Sequence, residues 1–103
     1  MTAEQFSKLV LAQACATEGA HGGHPDFRLH RRVFATLDYP KPGWAMVKLS
    51  AEQQEMVTAA EPAVFSPAKG SWGRRGATLL LLAKADMRIA KSAIRMAWAN
   101  AQP

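Results

Sequence analysis

Phe27-Arg28-Leu29-His30, Val33-Phe34-Ala35-Thr36-Leu37 and Trp44-Ala45-Met46-Val47-Lys48-Leu49 are three short runs of strand-forming residues, separated by Arg31-Arg32 and by Asp38-Tyr39-Pro40-Lys41-Pro42-Gly43. The first run alternates apolar and polar side chains, the mark of a half-buried strand, and the second is rich in β-formers. The first two runs read as a hairpin turning at Arg31-Arg32. In the longer connection the prolines stiffen the chain and the glycine closes the turn. The three runs together predict an antiparallel meander.

Working outward, Thr2 and Gln5 have the spacing of a capping box, and Phe6, Leu9 and Val10 follow at helical intervals. The pattern predicts a first helix over about residues 3 to 18, with Phe6, Leu9, Val10 and Ala14 inward and Cys15 at an exposed edge. Ser50 and Gln53 repeat the capping logic, and a short second helix with Gln53, Met56, Val57 and Ala60 on one side ends before Pro62. Val64 to Ala68 reads as an edge strand, because Pro67 cannot donate to a ladder. Ala77 to Ala83 contains the unbroken run Leu79 to Leu82, which belongs inside a sheet and is expected to be buried on both sides. Asp86 can cap a last helix reaching about Ala101. Its apolar arc is Met87, Ala90, Ala93, Ile94, Ala97 and Trp98, with Arg88, Lys91 and Arg95 beside it. The expected fold class is α+β: a two-layer arrangement of an antiparallel sheet with helices packed against it, in the order αβββαββα.

A chain of 103 residues has room for one such core, so a single domain over residues 1–103 is expected. Hydrophobic residues make up 49% and charged residues 20%, a globular composition. Neither a spanning apolar run nor a secretory leader pattern is visible, and Cys15 has no partner for an intramolecular disulfide. These features predict a cytoplasmic protein, with no membrane partner, as a monomer or weak homodimer. The net charge of +5 is uneven: residues 1–61 carry six Lys/Arg and seven Asp/Glu, while residues 62–103 carry seven Lys/Arg and one acid, Asp86. Such an excess attracts polyanions at long range.

The basic half opens with Lys69-Gly70-Ser71-Trp72-Gly73-Arg74-Arg75-Gly76, which reads as a second hairpin loop. Glycines permit tight turns and close approach, guanidinium groups recognise phosphate, and an indole offers a stacking face.

The order and spacing of several short pieces resemble the MmcQ/YjbR family. They are Gly23-His24-Pro25-Asp26-Phe27-Arg28, Arg32-Val33-Phe34-Ala35, Val47-Lys48-Leu49-Ser50, Glu61-Pro62-Ala63-Val64-Phe65, Pro67-Ala68, Trp72-Gly73-Arg74-Arg75-Gly76 and Ala97-Trp98. The resemblance implies a fold similar to that of type III secretion chaperones, with hairpins projecting as paired wings, and a DNA-binding role of the kind proposed for the family on that shape. It brings no catalytic residues. Two departures stand out. Arg31-Arg32 replaces the family's usual Gly-Lys pair, and Ala77 stands where a tryptophan usually follows the last glycine of the loop.

The expected nucleic-acid-binding residues are therefore Arg31, Arg32, Lys69, Trp72, Arg74 and Arg75, with low sequence preference and phosphate contact through basic wings. The competing reading of the arginines is that charged hairpin tips keep a small protein soluble, and that of Trp72 is packing over the sheet edge. Arg88, Lys91 and Arg95 read first as a solvated helix stripe. His21, His24, His30 and Cys15 raise a metal question, but their spacing matches no usual zinc pattern, and neither a metal nor a cofactor is expected. No nucleophile comes with an identifiable base, so a non-enzymatic module is expected. Its alternatives are a protein–protein interaction module and a small-ligand domain with a pocket beneath the Trp72 loop.

Overall fold

The structure, a computed structural model, describes residues 1–103 with the exception of the His21 side chain. Its elements are α1 (Ala3–Leu11), β1 (Thr17–His21), β2 (His24–Leu29), β3 (Arg32–Leu37), β4 (Trp44–Lys48), α2 (Ala51–Ala60), β5 (Phe65–Pro67), α3 (Gly70–Arg74), β6 (Ala77–Leu81) and α4 (Met87–Asn100). The six strands form one antiparallel sheet in the order β1-β2-β3-β4-β6-β5. This is the expected α+β class, and the order αβββαββα is extended by one strand, β1, and one short helix, α3.

Both capping boxes form. The Gln5 amide donates to Thr2 Oγ1 at 3.1 Å and the Gln53 amide to Ser50 Oγ at 3.1 Å, so orphan N–H groups at each helix start are satisfied. The first helix is shorter than its sequence pattern, ending at Leu11 instead of reaching residue 18. Ala14 is exposed beyond it, and Cys15 turns the chain with φ 63 into β1. Trp98 Nε1 donates to the Ala14 carbonyl at 2.9 Å, tying α4 to this turn.

Helices α1 and α4 cover one face of the sheet. Phe6 and Val10 of α1 and Ala90, Ala93, Ile94 and Ala97 of α4 meet Phe27, Leu29, Phe34, Ala35, Leu37, Ala45, Val47 and Leu80 in a continuous core. Met87 and Met56, expected inward, are instead exposed: Met87 is the first residue of α4, a turn before its buried arc begins, and α2 turns Gln54 and Val57 inward. In α2 the buried residues are Gln54 and Val57, while Ala60 faces solvent.

Strand β6 lies between β4 and β5, so the leucine run is internal as expected and β5 is the edge. The expected burial on both sides holds for one face only: Leu80 is fully buried in the helix-side core, while Leu79 and Leu81 are half-buried on the other face, which no long helix covers. A β-bulge in β3 decides the rest of that face. Phe27 pairs with Ala35 and Arg28 with Val33, which leaves Phe34 as the extra residue. Phe34 and Ala35 consequently both enter the core, while Val33 and Thr36 both line the opposite, open face.

The segment expected as a projecting hairpin loop does connect the antiparallel pair β5 and β6, but it is folded down as α3. Five residues including two glycines have little intrinsic helical tendency. Tertiary contacts supply the order: Gln54 Nε2 donates to the carbonyls of Gly73 (2.9 Å) and Ala77 (3.0 Å) and lies 3.2 Å from Thr78 Oγ1. Among the described residues no helix is long and apolar enough to cross a membrane.

Candidate functional site

Alternation along β2 puts His24, Asp26 and Arg28 on the open face, and the bulge brings Val33 and Thr36 of β3 beside them. Lys48, the last residue of β4, closes one end, and Trp72 of α3 with Tyr39 of the β3–β4 connection forms a wall. These residues enclose a pocket of about 350 Å³.

Its fixed charge is the Asp26–Arg28 pair. Arg28 Nε donates to Oδ1 at 3.0 Å and an Nη donates to Oδ2 at 3.1 Å, a two-point contact that holds the guanidinium plane. Asp26 is buried, whereas Arg28 keeps 41% of its side chain exposed. The hydrogen bonds and then the charge of Asp26 raise the Arg28 pKa above its ordinary value. Gly19 of β1 makes room for the pair, since a Cβ there would stand 3.0 Å from Asp26 Oδ1. Thr36, opposite Asp26 in the register, has a buried Oγ1 with no hydrogen-bond partner among the described residues.

Trp72 is half-buried. It packs against Met46, Ala68 and Ala77 and meets Tyr39 edge to face, with ring centroids 5.4 Å apart at 79°. The expected packing role and the expected open aromatic surface thus coexist in one side chain, which also lines a second hollow with Lys48 and Arg75.

Lys48 is the junction of the surface. It lines the pocket with Arg28, the hollow with Trp72 and Arg75, and a third hollow, against the end of α4, with Arg31, Arg32, Ala97 and Asn100. Asn100 Nδ2 reaches the Lys48 carbonyl at 3.3 Å, which fixes the end of β4. Of the six residues expected from sequence, Trp72 and Arg75 adjoin Lys48 on the open face, and Arg31 and Arg32 adjoin it from the α4 side. Lys69 and Arg74 are exposed at the two ends of α3, outside the linings of these hollows. Lys48 and Arg28 were missed, although the i, i+2 spacing of Asp26 and Arg28 signals opposite charges on one face of a strand. Arg88, Lys91 and Arg95 line a separate shallow groove on the outer side of α4.

Arg31 stands in a two-residue turn whose central residues both have positive φ, His30 at 49° and Arg31 at 72°. Such turns favour glycine at the second position. Arg31→Gly is therefore expected to raise stability by about 0.5–1 kcal/mol, seen as a thermal midpoint a few degrees higher. A lower midpoint would show that Arg31 makes a stabilising contact that outweighs its backbone conformation.

His24 lines the pocket, His30 is in the exposed turn and Cys15 is exposed beyond α1; the His21 side chain lies outside the described residues. No group of three or more His, Cys, Asp or Glu is placed to hold a metal among the described residues.

The chain matches no curated protein. Its structure is similar to the crystal structure of the Deinococcus radiodurans protein DR2400, whose family-model domain is DUF419. The TM-score is 0.76 at 15% identity, over 94% of this chain and 75% of that one, a likeness of fold. The sequence model of the YjbR family matches residues 11–100, all six strands and every helix but α1, and the chain accordingly belongs to the YjbR family.

Proposed function

We propose that this chain is a non-enzymatic module that binds nucleic acid, DNA in the first instance, through phosphate contacts around the Lys48 end of the sheet and with little sequence preference. The observation that carries this reading is the convergence at Lys48, where three adjoining hollows contribute Arg28, Arg31, Arg32 and Arg75. The cations come from two hairpins and a strand end on one rigid sheet, so they are held apart at fixed spacing without a folding cost on binding. The acid in these linings, Asp26, is already paired with Arg28 and adds little repulsion. Lys69 and Arg74 extend the positive field along α3. A cytoplasmic setting accords with the exposed free thiol of Cys15.

The test is a salt series on scrambled duplexes. Log affinity should fall linearly with log salt, each lost phosphate contact reducing the slope by about 0.9. Lys48→Ala should weaken all sequences alike, by about tenfold, and Arg31→Ala with Arg32→Ala should flatten the slope by about two contacts. Arg74→Ala with Arg75→Ala should act in the same direction. Arg88→Ala with Lys91→Ala, on the far side of the helix layer, should change affinity least. Exposed charges contribute little to folding, so melting temperatures should be nearly constant across the set. Wild type that fails to bind near physiological salt, or wing variants that bind like wild type, would transfer the face to the protein-partner reading.

A further inference from the structure

We infer that the pocket between Trp72 and the Asp26–Arg28 pair receives one unstacked nucleotide of a single strand, the base against the aromatic wall and the flanking phosphates on Lys48 with Arg28 and Arg75. This rests on the phosphate-binding reading above and specifies the form of nucleic acid. Contact with a duplex backbone would use the cations and leave the pocket empty, because paired and stacked bases present no free π-face. The cavity exists nonetheless. Its volume of about 350 Å³ lies at the lower end of the range of sites for small organic groups, and its walls include Trp72, Tyr39 and Val33.

Trp72 is prepared for such a role. Tyr39 meets it edge to face and the Met46 cluster backs it, so its orientation is set before a ligand arrives. It also stands between two cationic hollows, one holding Arg28 and the other Arg75, with Lys48 lining both. That is the pattern a base within a strand requires, since it carries a phosphate on either side; a free mononucleotide would satisfy only one. Arg28 is prepared as well. Asp26 occupies Nε and one Nη position, and the remaining guanidinium hydrogens have a fixed direction in which to meet a phosphate or a base edge.

The experiment compares a short oligothymidylate of about ten nucleotides with its duplex on oligoadenylate, and with thymidine monophosphate, at one ionic strength. The single strand should bind about five- to fiftyfold more tightly than the duplex and quench tryptophan emission. Trp72→Phe should remove most of the quench, because Trp44 and Trp98 lie outside the pocket lining. Should Trp72→Phe perturb folding, Val33→Phe offers a second route: it adds a ring at a half-exposed strand position lining the pocket and should narrow the space left for a base. Both variants should lower single-strand affinity toward that of the duplex, with a much smaller change in duplex binding. Equal, salt-dependent binding of single strand and duplex would overturn the pocket assignment and leave the phosphate reading standing. Binding of neither would remove both. Monophosphate binding as tight as the oligonucleotide would overturn the strand and identify a free nucleotide as the occupant.

Discussion

Leu80→Asp is expected to abolish the cooperative melt of this protein. Leu80 is fully buried, pairs with Ala45 and Phe65 on its neighbouring strands, and belongs to the core shared by α1 and α4. An unpaired carboxylate there costs several kcal/mol, comparable to the total stability of ~5–15 kcal/mol of an ordinary domain. The adjacent Leu81 supplies the contrast. It is half-buried on the other side of the sheet, so Leu81→Asp should cost about 1–2 kcal/mol and leave a folded protein with a lowered midpoint. Circular dichroism during heating distinguishes the two. Equal effects would mean that the two faces of β6 are equally enclosed, against the burial described above.

The second large effect is expected at the glycines that seat α3. A Cβ at Gly76 would lie 1.8 Å from the Leu49 carbonyl oxygen, and one at Gly73 would lie 1.6 Å from that of Ala68. In both cases the obstacle is backbone, and at Gly76 the φ of 115° adds strain of its own. Either alanine substitution should destabilise by about 3 kcal/mol or more, lowering the midpoint by roughly 12–24 °C. Gly70→Ala and Gly43→Ala are the controls. Both positions have positive φ but open space around the missing Cβ, so about 1 kcal/mol is expected. If all four substitutions cost the same, backbone conformation alone would account for these glycines, and close docking of α3 would be contradicted. The expected loss at Gly73 and Gly76 also reaches the candidate site, since Trp72 is carried on this short helix and Arg75 is its C-cap.

What could be read from the sequence followed from local chemistry. The meander, both capping boxes, the Asp86 cap and the internal leucine strand all rest on side-chain spacing within about ten residues, and the structure forms each of them. Where the reading departed, a distant contact had decided the matter. Residues 12–18 retain helix-forming letters, but the chain turns at Cys15 to pair β1 with β2, and no glycine marks that turn. The 69–76 segment reads as loop because nothing within it announces Gln54, 19 residues from Gly73, whose side chain pins the helical turn. The candidate site was legible in part for the same reason. Arg31, Arg32, Trp72 and Arg75 advertise themselves by composition, whereas Lys48 gains its position only when β4 is set between β3 and β6.

The extra residue at Phe34 bears on how such a domain can change over generations. It lets β3 devote consecutive residues, Phe34 and Ala35, to the core and Val33 and Thr36 to the opposite surface. Deletion of that one residue would restore plain alternation and leave Val33, Ala35, Thr36 and Leu37 on their present faces, but the core would lose the Phe34 ring, so a shortened strand should be purged for its lost packing. Point substitutions at Val33 or Thr36, by contrast, alter the lining without touching Phe34 or Leu37. Descendants of one stable scaffold are thereby free to diversify in what they hold on this face, with the helix-covered half inherited intact.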